Sequence, residues 1–439
     1  MTRAQLRLAA TAAAMSVILA ASPAFAEAAK IDAADTAWMM GATGLVLMMT
    51  IPGLALFYAG MVRKKNVLAT MAQCMAATFL VSVLWAVIGY SLTFTGDGAY
   101  IGSFDRIFLN GMTLNAISPF AKTIPESLFM IYQMTFAVIT VALVAGSVAD
   151  RFRFSAFLLF CVFWLLLVYV PIAHWVWGGG FLSSYGVIDF AGGLVVHLNA
   201  GVAGLVAAYV IGKRRGYGSE NLSPYDLTLA VIGTGLLWVG WFGFNGGSAL
   251  GANARAAMAI TSTHLAASAG AFTWMALEWW TRGKPSVLGM ISGAVAGLGT
   301  ITPASGFVLP MEGVLIGVIA GSVCFWACTW LKLKLGYDDS LDVFGVHGIG
   351  GLTGTFLAGV LAVGALSASP ELPGGVSGLL EGNPRLVLTQ MFGILVTLAW
   401  SGIMTFVVLK LIGAIVPLRV RHEDEVMGLD VTQHGEALQ

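Results

Sequence analysis

Two short runs carry residues that can do chemistry. Asp189-Phe-Ala-Gly-Gly-Leu-Val-Val-His197 and Asp342-Val-Phe-Gly-Val-His347-Gly each set a carboxylate and an imidazole in otherwise apolar, glycine-rich sequence. In hydrocarbon such a side chain is costly unless it is paired, hydrated or functional. A neutral imidazole offers one donor and one acceptor, and two imidazoles that face each other share a proton and titrate as a pair. That chemistry suits the passage of a small, proton-bearing solute along a narrow lumen. Asp189 and Asp342 are expected to act structurally, each accepting free N–H groups of glycine-rich backbone near a helix break. Direct cation binding by either carboxylate is the alternative.

Aromatic residues form the second constellation. Tyr132 and Phe136 stand four apart and share a helix face. Trp177 precedes Gly178-Gly-Gly180, and Trp241-Phe-Gly-Phe244-Asn245-Gly-Gly-Ser248 closes another apolar run. Taken singly, these residues read as interfacial belt or helix packing. Together they can form a cup in which cation–π attraction is worth about 2 kcal/mol for a desolvated cation, with Ser248 accepting one of its N–H groups. Cys74, Cys161, Cys324 and Cys328 all fall in apolar runs. Cys324 and Cys328 share a face, but no further ligand accompanies them, so they read as packing residues and call for no metal or cofactor. No HExxH run or nucleophile–base pair supports an enzyme. A secondary transporter of another solute, sodium-coupled for example, is a further alternative.

These residues need elements to hold them. The chain is 58% hydrophobic and only 10% charged, which excludes an ordinary soluble domain with its charged quarter. The 55 glycines and 13 tryptophans suit closely packed membrane helices with interfacial anchors. A formal net charge of +0 points to no nucleic acid or acidic partner. Residues 1–26 read as a cleaved signal peptide: Arg3 and Arg7, an apolar centre from Leu8 to Ala21, then Ala24-Phe-Ala26. An uncleaved first span is the other reading. Spans are expected near 36–60, 67–94, 126–149, 154–176, 190–212, 227–250, 256–280, 287–303, 311–333, 340–366 and 386–416. With the mature amino terminus outside, fifteen Lys and Arg fall on the inner side and five on the outer. The expected fold is therefore an all-α polytopic membrane protein of about eleven helices. Repeat one, 36–212, ends on the Asp189 run, and repeat two, 227–366, ends on the Asp342 run. Five spans is an odd number, so the repeats are inverted around a central pore, followed by one extra carboxy-terminal helix. The polar segment 417–439 is expected in the cytoplasm, with a disordered leftover as the simplest reading.

The quoted runs resemble signature runs of the Amt/Mep/Rh ammonium transporter family. These are Asp189-Phe-Ala-Gly-Gly-x-Val-Val-His197, Gly240-Trp-Phe-Gly-Phe-Asn-x-Gly-Ser248 and Asp342-Val-Phe-Gly-Val-His347-Gly. Ile51-Pro-Gly-Leu-Ala-Leu-Phe-Tyr58 and Gly428-Leu-Asp-Val-x-x-His-Gly-Glu436 are similar to the bacterial Amt branch. Ser248 also favours Amt over Rh. The resemblance implies a homotrimer in the inner (plasma) membrane with one narrow pore per subunit. It assigns Trp177, Phe136 and Ser248, with Tyr132 beside them, to an outer ammonium recruitment site. Phe136 and Phe244 become a stacked gate, and His197 and His347 a twin-His pair. Asp189, Asp342, Trp241 and Asn245 act as structural support. Methylammonium is the expected analogue substrate, membrane lipid the surroundings, and a PII-class signalling protein the partner of the tail. Only ammonium, unlike potassium, can lose a proton, and a dry pore favours the neutral molecule. The reading is thus deprotonation, ammonia passage and separate, electrogenic proton transfer. A passive ammonia channel and an ammonium sensor are the alternatives.

Overall fold

The computed structural model describes residues 30–370 and 372–438. The signal peptide expected over 1–26 lies outside these residues. Eleven long helices follow in chain order: α1 (Ala33–Met61), α2 (Lys64–Phe94), α3 (Glu126–Ser147), α4 (Phe154–Tyr185), α5 (Gly193–Ile211), α6 (Leu227–Gly246), α7 (Ala254–Arg282), α8 (Val287–Ile301), α9 (Pro310–Leu335), α10 (Phe344–Leu361) and α11 (Pro384–Ile415). Among the described residues, nine are long and apolar enough to cross a membrane. The other two are α7, which is long but rich in Ala, Ser and Thr, and α8, which is apolar but only 15 residues. Both pack against each other and against α9. Small residues make this possible, since any side chain at Gly293 would overlap the backbone of α7.

Helix ends depart from expectation where polar groups stop the turn. α10 begins at Phe344 rather than 340, because the Asp339 carboxylate accepts the Phe344 N–H at 2.7 Å. α6 ends at Gly246 rather than 250, where the chain turns through Leu250 in the left-handed region. Several helices also contain a wide π-type turn with one extra residue. Those at Gly193–Leu198, Phe242–Gly246 and Phe344–Gly348 carry His197, Phe244 and His347. Such turns shift a side chain off the regular helical stripe and recur at functional sites.

The two five-helix units embrace. α1 packs on α6, and the straight part of α5 packs on the wide turn of α10. The straight part of α10 packs in return on the wide turn of α5, the reciprocity that a two-fold relation demands. Gly201 lies against Gly348 at this crossing, with no room for a Cβ.

The segment after Pro417 is folded, not a disordered leftover. It forms α12 (His422–Met427) and α13 (Leu429–His434), held against the first turns of α2. Asn66 Oδ1 accepts the Leu429 N–H at 2.9 Å, and Asp430 Oδ1 accepts the Ala69 N–H at 2.8 Å. Lys65 Nζ donates to the carbonyls of Glu425 and Val426. These local partners lie more than 300 residues away in sequence, so the tail's own composition does not reveal them.

Candidate functional site

Three cavities lie end to end through the bundle. The first, of about 270 Å³, is lined by Gln133, Phe136, Trp177, Asp189, Ser248 and Arg255 among others. The second leaves only about 10 Å³ for the centre of a water-sized molecule and lies among Phe244, Trp241, His197, His347 and aliphatic side chains. The third, of about 220 Å³, reaches from His347 and Val346 to Asp342, Glu278 and Arg282.

At the first cavity, each polar group on the aromatic wall is already committed in a way that sets its orientation. Trp177 Nε1 donates to the Asp189 carbonyl at 2.8 Å, so the indole keeps its face free. Its ring stands edge-on to Phe136, with centroids 5.6 Å apart at 84°. Ser248 Oγ donates to the Phe244 carbonyl at 2.8 Å, which leaves the hydroxyl oxygen as an acceptor. Tyr132 is fully buried behind the wall. Its hydroxyl is 3.0 Å from the carbonyls of both Gly243 and Phe244, and its ring meets Phe136 edge-on. Tyr132 therefore braces the turn that carries Phe244 and Ser248.

Phe136 and Phe244 separate the first cavity from the second, with ring centroids 4.3 Å apart at 31°. Below them His197 and His347 lie nearly parallel, at 16°, with Nδ1 atoms 3.2 Å apart. A hydrogen bond at this distance needs one Nδ1 to donate and the other to accept. His197 Nε2 is buried with no partner in the protein. Trp241 stacks on His197 with centroids 5.4 Å apart, and its Nε1 donates to Thr302 Oγ1 at 2.9 Å. Asn245 Nδ2 donates to Thr263 Oγ1 at 2.8 Å, tying the turn of α6 to α7.

The two aspartates behave differently. The Asp189 carboxylate accepts four backbone N–H groups, from Gly192, Gly193, Leu194 and Val195, at 2.6–3.2 Å. Gly192 has a φ of 119°, which lets the chain fold back over the carboxylate. The expectation that Asp342 does the same for α10 is corrected here. Asp342 pairs with Lys332 at 2.8 Å and is partly exposed, and the capping contact belongs to Asp339. The signal was present in the spacing, since Asp339 precedes His347 by the same eight residues that separate Asp189 from His197. Gln133 and Arg255 are further cavity-lining residues that the sequence reading did not single out. Gln133 follows Tyr132 directly, and its Oε1 is buried without a partner. Among the described residues no group of three or more His, Cys, Asp or Glu side chains is placed to hold a metal ion.

The arrangement offers an aromatic cup with one oxygen acceptor, a barrier of two phenyl rings and a tightly enclosed pair of imidazoles. Comparison with known proteins agrees on what such a chain is. The profile of the Ammonium Transporter Family matches residues 37–438. An ammonium transporter from Bacillus subtilis is 47% identical over 402 residues, covering 92% of this chain and 97% of that protein. One from Aquifex aeolicus is 46% identical, covering 94% and 95%. The crystal structure of Saccharomyces cerevisiae Mep2 superposes with a TM-score of 0.84 at 37% identity, covering 90% of this chain and 88% of that one. The chain belongs to the ammonium transporter family.

Proposed function

We propose that this protein takes up ammonium across the inner (plasma) membrane, with the Trp177 cavity on the outer side and the tail in the cytoplasm. Ammonium is recruited over the faces of Trp177 and Phe136, with Ser248 Oγ accepting one N–H and Tyr132 bracing the wall. It loses its proton there, and ammonia passes the Phe136–Phe244 gate to the His197–His347 pair. The proton crosses separately through that pair, so transport is electrogenic. The observation that carries this reading is the His197–His347 contact at 3.2 Å beneath a closed phenyl pair. A shared proton between imidazoles in so small a cavity passes charge by exchange while leaving no room for a hydrated ion. Asp189, Asp339, Trp241 and Asn245 hold this geometry.

The test is current from proteoliposomes under an ammonium gradient and, separately, a potassium gradient. We expect ammonium current alone in the wild type and its loss in His197→Ala. Unchanged current with unchanged selectivity in that variant refutes the proton route. Electroneutral uptake in the wild type favours the passive ammonia channel.

The remaining organisation follows the same reading. The proposed domains are a cleaved signal peptide at 1–26, a membrane part at 27–416 and a regulatory tail at 417–439. The working unit is a homotrimer with a pore in each subunit. A PII-class protein docks on the tail, so a chain lacking 418–439 should fail to capture purified PII protein, and retained capture removes the tail from that role.

A further inference from the structure

The cavity that holds Trp177 and Ser248 also holds a charge that cation recruitment does not explain. Arg255, in the first turn of α7, lines it. Its guanidinium carbon sits 4.8 Å from the centroid of Phe190 and 4.6 Å from that of Phe307. Nε donates to the Gly306 carbonyl at 2.8 Å, and Nη2 is buried with no acceptor. Gly306 supplies that carbonyl and also the space Phe190 fills, since any side chain there would overlap the Phe190 ring. Arg255 forms no ion pair among the described residues. Asp189, the acid on the same cavity wall, has its carboxylate taken by four backbone N–H groups. A full positive charge with five N–H donors is therefore met by one carbonyl and two ring faces. Ring faces attract a cation but do not neutralise it, and an uncompensated charge in a partly desolvated site is costly. It also opposes the arrival of a second cation in the same space.

We propose that Arg255 holds a small inorganic anion of halide size in this cavity, so that ammonium enters the site beside a counter-anion. The cation half of this statement rests on the recruitment reading above; the anion half rests on Arg255, Phe190, Gly306 and Phe307. Small size follows from the crowding of the guanidinium itself, which lies between the Phe190 and Phe307 rings and on the Gly306 carbonyl. The anion offsets the guanidinium and lowers the electrostatic cost of placing ammonium over Trp177.

Ammonium currents are measured in proteoliposomes at fixed pH and ionic strength, with chloride, bromide or lactobionate as the anion. Lactobionate, a disaccharide acid, is too bulky to sit beside Arg255. The half-saturating ammonium concentration is expected to be roughly tenfold lower in chloride and bromide than in lactobionate, the scale of neutralising one like charge at about 10 Å. Arg255→Met should make the three salts equivalent, and Arg255→Lys should retain part of the difference. Crystals of the wild type soaked in bromide should show an anomalous peak on the Arg255 guanidinium. If Arg255→Met does not fold, the wild-type salt series and the bromide peak decide. Equal affinity in all three salts together with normal, selective current, or bromide found only elsewhere, overturns the anion site and leaves recruitment standing. Loss of ammonium selectivity in every salt overturns the recruitment reading instead.

Discussion

At the scale of single residues, a committed hydrogen bond decides what each group has left to offer. Trp177 gives its N–H to the Asp189 carbonyl and keeps its face; Ser248 gives its O–H to Phe244 and keeps its oxygen. Asp189 gives up both oxygens to backbone, where four N–H groups occupy its acceptor sites. Asp189→Asn turns an amide N–H toward some of those four donors. Because bonds to a charged acceptor are worth about 1.5–3 kcal/mol each, the loss should exceed about 3 kcal/mol. Asp342→Asn removes only a partly exposed ion pair and should cost about 1 kcal/mol or less. Melting in detergent distinguishes them, with a fall of several degrees for the first and little change for the second. Equal falls would contradict the assignment of the caps. The histidines and the aromatic cup were legible in sequence because ionisable and aromatic residues stand out against apolar runs. Asp339 is masked in the sequence by Asp342, which stands nearer to His347 and competes with the matching eight-residue spacing. Arg255 was missed because a lone arginine at a helix start reads first as a topological charge.

At the scale of elements, glycine determines how closely the histidine-bearing helices approach. Gly201 of α5 abuts the backbone of Gly348 on α10, one residue beyond His347. The crossing sets the 3.2 Å separation of the imidazoles, so a side chain there must push the helices apart. Gly201→Val should lower the yield of folded protein on size-exclusion chromatography. In whatever folds, it should remove ammonium current, although it reaches only the backbone of His347 and neither imidazole. Normal yield and normal current together would show that the crossing tolerates a wider spacing. Among the described residues, hydropathy and length account for nine of the eleven helices, each with an apolar surface about as long as a bilayer is thick; α7 and α8 fall short in apolar content or in length and are marked instead by the polar turns around them. The wide turns were not legible, because periodicity over a span does not register one extra residue in a single turn. Those turns nonetheless aim His197, Phe244 and His347.

At the scale of the whole molecule, the tail and the loops beneath the bundle form one ion-paired layer. Asp150 accepts from Arg63 at 2.9 Å, Asp338 from Arg214 at 2.8 Å, and the Arg151 side chain reaches Ser340 and the carbonyls of Asp338 and Gly212. Burial pushes the Asp338 carboxyl up, but the Arg214 hydrogen bonds and charge outweigh it and leave it below the ordinary carboxylate value. The tail joins this layer through Glu425, whose oxygens accept the Arg215 N–H at 2.7 Å and the Arg419 guanidinium at 2.7 Å. Glu425→Gln keeps the size of the side chain but removes the charge from a buried acceptor. If that loosens the tail by only about 1.4 kcal/mol, the share of undocked tails rises tenfold. Trypsin cuts after Arg419 and Arg421, both in the segment that must lift away. Cleavage there should therefore quicken by roughly tenfold or more in Glu425→Gln when opening is fast relative to cutting. The tail's small hydrophobic cluster of Ala69, Val420 and Leu429 is untouched by the change, so the folded membrane part should survive with an unaltered melting profile. A cleavage rate equal to that of the wild type would mean that Asn66, Lys65 and Asp430 hold the tail without Glu425, and that the layer is fastened at its other edge.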